Sequence, residues 1–198
     1  MDIKSPQNLM ELTDVFRFVE KVLKLEPGHI RDLSFYKKQF ETTPYFSIYV
    51  EKDNEVLGAL LAVPQGNDGL LVGEVAVSEK ARGKGIGSLL LTEIEKRAKK
   101  YKKKNVLLGS LETAEEFYLK HQYKPKLFIQ LQGTNRLKEL KNFAKDNSYE
   151  KDIIWENEGD GFSKIIIETS TIDKKLQDKA KTLSGAHTQY LFSKKLQT

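Results

Sequence analysis

The run A-R-G-K-G-I-G, Ala81 to Gly87, places three glycines in five residues, between an alternating apolar stretch and a helical pattern. A strand that feeds a helix through such a turn leaves several backbone N–H groups unpaired at the positive end of the helix dipole. Glycine admits positive φ and lets a ligand approach without meeting a Cβ. Arg82 and Lys84 add formal charge. The turn therefore reads as an anion site sized for a pyrophosphate, whereas a tight turn that binds nothing has no use for these residues together. Two nucleotide motifs are excluded. No G-x-x-x-x-G-K-[ST] run is present, and Ser88 stands where a dinucleotide fingerprint needs its third glycine.

The flanking pattern gives the turn its context. Ser5-Pro6 reads as a helix start, followed by Leu9, Leu12, Phe16, Val19 and Leu23 at helical spacing, with Pro27-Gly28 as the stop. A second helix over Ile30, Leu33 and Phe40 ends before Pro44. The period then changes to two. Strands over Tyr45–Lys52, Glu55–Val63 and Leu70–Val77, with short connections, form an antiparallel meander. A helix opens at the glycines on Ile86, Leu89, Leu90 and Ile94, and a strand over Asn105–Gly109, a helix over Glu112–His121 and a strand over Lys126–Gln132 follow. This alternation predicts a mixed α/β (α+β) fold, with parallel pairing around the glycine turn and helices flanking a mixed central sheet.

In that setting Arg82, Gly85 and Gly87, after the strand ending at Val77, resemble motif A of the GNAT acyltransferases, Q/R-x-x-G-x-G/A. Gly58 resembles the glycine of the family's preceding strand. Ala114, Tyr118, Lys120 and Tyr123 resemble motif B, A-x-x-x-Y-x-K-x-G-F. The resemblance covers about Val56 to Pro125. It departs from the family at Leu111, where an asparagine often touches coenzyme A, and at Gln122, where a glycine is usual.

The resemblance implies an N-acetyltransferase that uses acetyl-coenzyme A (acetyl-CoA) as cosubstrate and a primary amine as acceptor, a small molecule or a protein amine. The implied coenzyme site comprises Val75, Ala76, Val77, Arg82, Gly83, Lys84, Gly85, Ile86, Gly87 and Ser88. Backbone groups of Val75 and Val77 would hold the pantetheine arm, and one of their N–H groups would serve the oxyanion. Tyr118 would protonate the departing thiolate, or else be a core aromatic beside Phe117. Glu74 is the carboxylate of the strand leading to the glycines. It stands as base, as substrate contact, or as an acid on a solvated sheet face. Acceptor residues are expected within Glu26 to Pro44 and in the C-terminal part. A non-catalytic acyl-coenzyme A sensor is the alternative.

The remaining features narrow this further. The chain has no cysteine, which removes thiolate chemistry and fits a reducing, cytoplasmic setting. No stretch has the length of a membrane span and no signal-peptide pattern opens the chain. His29, His121 and His187 lack metal-ligand spacing, so no metal is expected. The net charge of +5 suits an anionic ligand, and the lysine run Lys96 to Lys104 reads as a helix terminus rather than a nucleic-acid surface. Residues 1–132 are assigned to the acetyltransferase domain. Residues 133–198, with strand 126–132 open to either part, show the order strand–helix–strand–strand–helix–strand of a small ferredoxin-like domain. Such units serve regulation, ligand capture or pairing into a homodimer. Trp155 is expected in the core.

Overall fold

In the computed structural model of the protein, which describes residues 2–24 and 32–196, the chain opens with a strand the sequence pattern hides. β1 (Asp2–Lys4) pairs antiparallel with β2 (Ser47–Lys52). Helix α1 (Leu9–Leu23) therefore starts later than Ser5-Pro6 suggests. Its cap is Asn8, whose Oδ1 accepts from the N–H groups of Met10 and Glu11 at 3.0 and 2.9 Å. Glu11 reaches back to the Gln7 N–H at 2.9 Å, one residue before the N-cap, and so holds the chain entering the helix. Ser5 instead accepts a hydrogen bond from Arg97. Pro27-Gly28, His29 and Ile30 lie outside the described residues.

The chain divides into two compact units, residues 1–107 with 195–198 and residues 108–194. In the first, β3 (Glu55–Gln65) and β4 (Gly69–Val77) continue the antiparallel meander, and the strand order is β1-β2-β3-β4-β5, with β5 at Asn105–Gly109. Asp53 and Asn54 turn β2 into β3 with φ of 51° and 60°, the pair of positive values a tight hairpin requires. The strand pattern from Tyr45 is corrected at its start, where Pro44–Phe46 form a single 3₁₀ turn. Helix α3 (Ile86–Lys100) connects β4 to β5, its neighbour in the sheet order.

Two helical layers cover the meander. On one face Leu12, Val15, Phe16 and Val19 of α1 and Tyr36 of α2 (Leu33–Phe40) pack on Ala59, Leu61, Val63 and Ala76. On the other, α3 buries Ile86, Leu90, Leu91, Ile94 and Ala98. Leu9 and Leu89, expected on the buried stripes, are 42% and 38% exposed, and Val15 and Leu91 take those places. The lysines at the end of α3 tie down the β3–β4 turn. Lys103 donates to the Asn67 carbonyl at 2.9 Å and Lys104 pairs with Asp68 at 2.8 Å. Tyr101 stacks on Tyr45 at 3.5 Å between ring centroids.

In the second unit, α4 (Glu115–Lys120) precedes β6 (Lys124–Gln132), α5 (Leu137–Asp146), β7 (Ile153–Gly159), β8 (Phe162–Glu168), α6 (Lys174–Lys181) and β9 (Ala186–Lys195). The strands run β9-β6-β8-β7, and the β6–β8, β6–β9 and β7–β8 pairs are antiparallel, which is the ferredoxin-like arrangement the element order predicts. Ile165 and Ile167 of the central β8 are fully buried. Burial pushes the Tyr190 phenol up to about 12, and its oxygen accepts the Asp173 N–H at 2.7 Å. Trp155 is not core. It lies on the edge strand β7, beside an irregularity in the pairing, and is 43% exposed. Among the described residues no helix is long and apolar enough to cross a membrane.

The seating of α3 on β3 depends on one missing side chain. A Cβ at Gly58 would stand 2.6 Å from Ile86 Cγ2, 3.2 Å from the Ala76 carbonyl oxygen and 3.3 Å from Leu90 Cδ1. Gly58→Val must push α3 outward and is expected to cost roughly 1–3 kcal/mol. Thermal unfolding checks this; an unchanged Tm contradicts the close seating.

Candidate functional site

β4 ends at Val77, and a single 3₁₀ turn over Glu79–Ala81 carries the chain to the glycines. Gly83 and Gly85 have φ of 75° and 78°, values that side chains with a Cβ rarely adopt. A Cβ at either position would meet nothing within 4 Å. Their requirement is thus conformational, and the space in front of the turn is open. Gly85 is the N-cap of α3 and no side chain caps the helix. The Leu89 N–H reaches the Gly85 carbonyl at 2.9 Å, so the amides ahead of it in the first turn lack intrahelical acceptors. Arg82, Gly83, Lys84 and Gly85 are exposed, Gly87 and Ser88 half-buried, and Ile86 is buried as the anchor. Among the described residues neither Arg82 nor Lys84 takes part in an ion pair. The arrangement presents backbone donors, a helix N-terminus and two cations to one open face, which suits an anion with several oxygens.

The strand leading to the turn is not regular. Leu61 pairs with Glu74 and Ala62 with Val72, so Gly73 is an extra residue, a β-bulge. The bulge changes which residues share a face. Leu70 and Val72 lie opposite Pro64 and Ala62, whereas Glu74 and Ala76 lie opposite Leu61 and Ala59. Leu61 and Ala59 belong to the core under α1 and α2, so Glu74 is turned into that layer. It is 6% exposed, and the Tyr36 hydroxyl donates to its Oε1 at 3.2 Å from a ring that is itself 2% exposed. The expectation of an acid on a solvated sheet face is therefore corrected. Val75 and Val77, opposite Leu60 and Gly58, fall on the α3 face and are half-buried, and Ala76 is core.

Tyr118 belongs to the second unit. It is 6% exposed, the more buried of the Phe117–Tyr118 pair, and its ring packs against Phe117, Tyr123 and Phe192 with centroids 5.2, 6.1 and 5.5 Å away. The turn after α4 answers the question posed by the missing motif B glycine. Gln122 takes the left-handed conformation itself, at φ 65°. The Tyr123 N–H reaches the Tyr118 carbonyl at 3.1 Å and the Gln122 N–H that of Leu119 at 2.9 Å, a Schellman closure. Leu111 is 51% exposed.

Sequence reasoning missed Tyr36. It is an aromatic on a short amphipathic helix, and its partner lies 38 residues away. The one local hint was Gly73, since glycine inside a strand often marks a bulge that re-aims its neighbours.

Residues 44–125 match a family model described as an acetyltransferase (GNAT) domain. No curated protein sequence matches the chain. Among solved structures, an aminoglycoside 6'-acetyltransferase type Ii superposes with a TM-score of 0.57 at 16% identity, covering 100% of this chain and 99% of that one. An aminoglycoside 6'-N-acetyltransferase complexed with coenzyme A gives 0.52 at 14% identity, covering 100% and 98%. An acetyltransferase of the GNAT family from Staphylococcus aureus Mu50 gives 0.54 at 15% identity, covering 63% and 84%. The fold is that of the GNAT acyltransferases.

The left-handed Gln122 carries a cost that glycine avoids, offset in part by glycine's larger loss of freedom on folding. Gln122→Gly is expected to stabilise the chain by about 0.5–1 kcal/mol, a Tm rise of a few degrees. A lower Tm in a thermal melt contradicts the strained closure.

Proposed function

We propose that the protein is an N-acetyltransferase that moves an acetyl group from acetyl-CoA to a primary amine by direct attack on the thioester. The single observation that carries this reading is the turn at the head of α3 that no side chain caps, held open by two left-handed glycines and flanked by the cations Arg82 and Lys84. The turn has the donors, the charge and the free space that a diphosphate needs, because nothing stands where a glycine Cβ would be. The GNAT domain match and a structural relative solved with coenzyme A support the same ligand.

In this reading the amides from Gly83 to Ser88 hold the diphosphate, with Arg82 and Lys84 as neutralising charges. Backbone groups of Val75 and Val77 hold the pantetheine arm, and Ala76 and Ile86 fix the strand and helix that carry these groups. The amine nitrogen attacks the thioester carbon, and the negative charge that develops on the carbonyl oxygen is met by a backbone N–H of Val75 or Val77. The C–S bond then breaks and the thiolate takes a proton from the Tyr118 phenol, a role assigned from its place in motif B. Glu74 takes the proton the amine loses, directly or through water, or holds the amine as a cation. The Tyr36 hydroxyl fixes its carboxylate. Residues 133–198 are taken as an addition to this catalytic part.

Two variants test the assignment. Gly85→Asp brings bulk, a disfavoured φ and a negative charge to the turn, and is expected to abolish coenzyme A binding in calorimetry; affinity equal to the parent's removes the turn from the site. Tyr118→Phe is expected to lower kcat at least tenfold while coenzyme A affinity stays within twofold. Unchanged release of coenzyme A across an amine panel ends the acid role and leaves Tyr118 as a core ring.

A further inference from the structure

A cavity of about 880 Å³ opens beside the glycine turn in the first unit, lined by the end of α1, the β2–β3 hairpin and the segment from Ser78 to Arg82. Its size is that of a small-ligand site. Phe18, Val22 and Val56 give it apolar lining, and Arg17, Lys21, Lys24 and Arg82 bring four cations against Glu55 and Glu79. Glu55 is already paired with Lys80. Positive charge is therefore in excess.

That excess works against the helix that carries it. Arg17, Lys21 and Lys24 stand at i, i+4 and i+7, a spacing at which like charges repel. The C-terminal end of the α1 dipole offsets this for Lys21 and Lys24. It does not reach Arg17, and Arg82 comes from another segment altogether. The Arg17–Asp14 contact, at 3.5 Å with both side chains largely exposed, relieves little.

A second, independent observation is Ser78. Among the described residues its buried Oγ has no hydrogen-bond partner, although the residue stands at the N-cap of a 3₁₀ turn where a hydroxyl ordinarily finds a backbone N–H. A buried hydroxyl left unsatisfied is costly, and Ser78 is one of the residues that line the cavity.

We infer that this cavity binds an anionic group carried by the acceptor, a carboxylate above all, with the Ser78 hydroxyl and the three α1 cations Arg17, Lys21 and Lys24 as its partners, Arg82 at its edge being engaged by the diphosphate. The inference rests on the acyltransferase reading for the amine end of the acceptor. Ser78 lies four residues beyond Glu74, roughly 13 Å along an extended strand. An amine at Glu74 and an anion in the cavity therefore belong to an elongated molecule with the two groups at opposite ends. A peptide with a free N-terminus and an acidic side chain a few residues on has this form.

The test is a matched pair of tetrapeptide amides, three glycines followed by glutamate or by glutamine, titrated into the full chain by calorimetry with coenzyme A present. The glutamate peptide is expected to bind at least tenfold more tightly, and Lys21→Glu and Arg17→Glu, shown folded by their thermal melts, are each expected to remove that advantage. Ser78→Ala is expected to reduce it by a smaller factor. Equal binding of the two peptides, no binding of either, or an advantage that survives both charge reversals overturns the inference. A separate titration with coenzyme A alone reports on the acyltransferase reading: a chain that prefers the glutamate peptide yet ignores coenzyme A keeps its anion site and loses the proposed chemistry.

Discussion

The close approach of α3 to β3 over Gly58 is the contact on which the rest of the site depends. Ile86 and Leu90 sit where a side chain at residue 58 would be, so the first turn of α3 is pinned against the sheet. A helix held that firmly by its buried stripe does not need a side-chain cap to define its start. Gly85 can then serve as a bare N-cap, and the amides of Ile86 and Gly87 lack intrahelical acceptors. The proposed anion site is thus a by-product of packing. Apolar burial of Ile86, Leu90, Leu91 and Ile94 stabilises the helix, and the polar groups of its first turn are left for a ligand.

The bulge at Gly73 is the second constraint, and it acts on the opposite face. One extra residue turns Glu74 toward α1 and α2, where water is excluded and the Tyr36 phenol is the neighbour. The same strand therefore serves two surfaces. Val75 and Val77 face α3, while Glu74 and Ala76 face the N-terminal helices. A regular strand would have put Glu74 on the face of Leu70 and Val72, and the carboxylate would have had no part in the α1–α2 layer.

Much of this was legible in the sequence. β5 matches its predicted bounds, Asn105–Gly109, because a short apolar run between a lysine-rich turn and a polar loop has few alternatives. The glycine turn was legible because φ near +75° is affordable to few residues other than glycine. Other features lacked a local signal or carried a false one. Ser5-Pro6 mimics a helix start, yet residues 2–4 pair with β2, and Asn8 with Glu11 makes the real cap. Trp155, a lone tryptophan with no binding partner in sight, reads as core, but β7 is an edge strand and beside its pairing irregularity the ring is half in water. The Tyr36–Glu74 contact depends on a bulge and a helix 38 residues apart, and no period in the sequence encodes it.

The central claim is that uncovered main-chain amides at the head of α3 hold the diphosphate of a thioester carrier. Amide chemical shifts of the ¹⁵N-labelled chain, followed by NMR during a coenzyme A titration, test it at the atoms concerned. The account predicts that the resonances of Gly83, Gly85 and Gly87 move together and saturate first. Saturable shifts elsewhere, with these three unmoved, would contradict it.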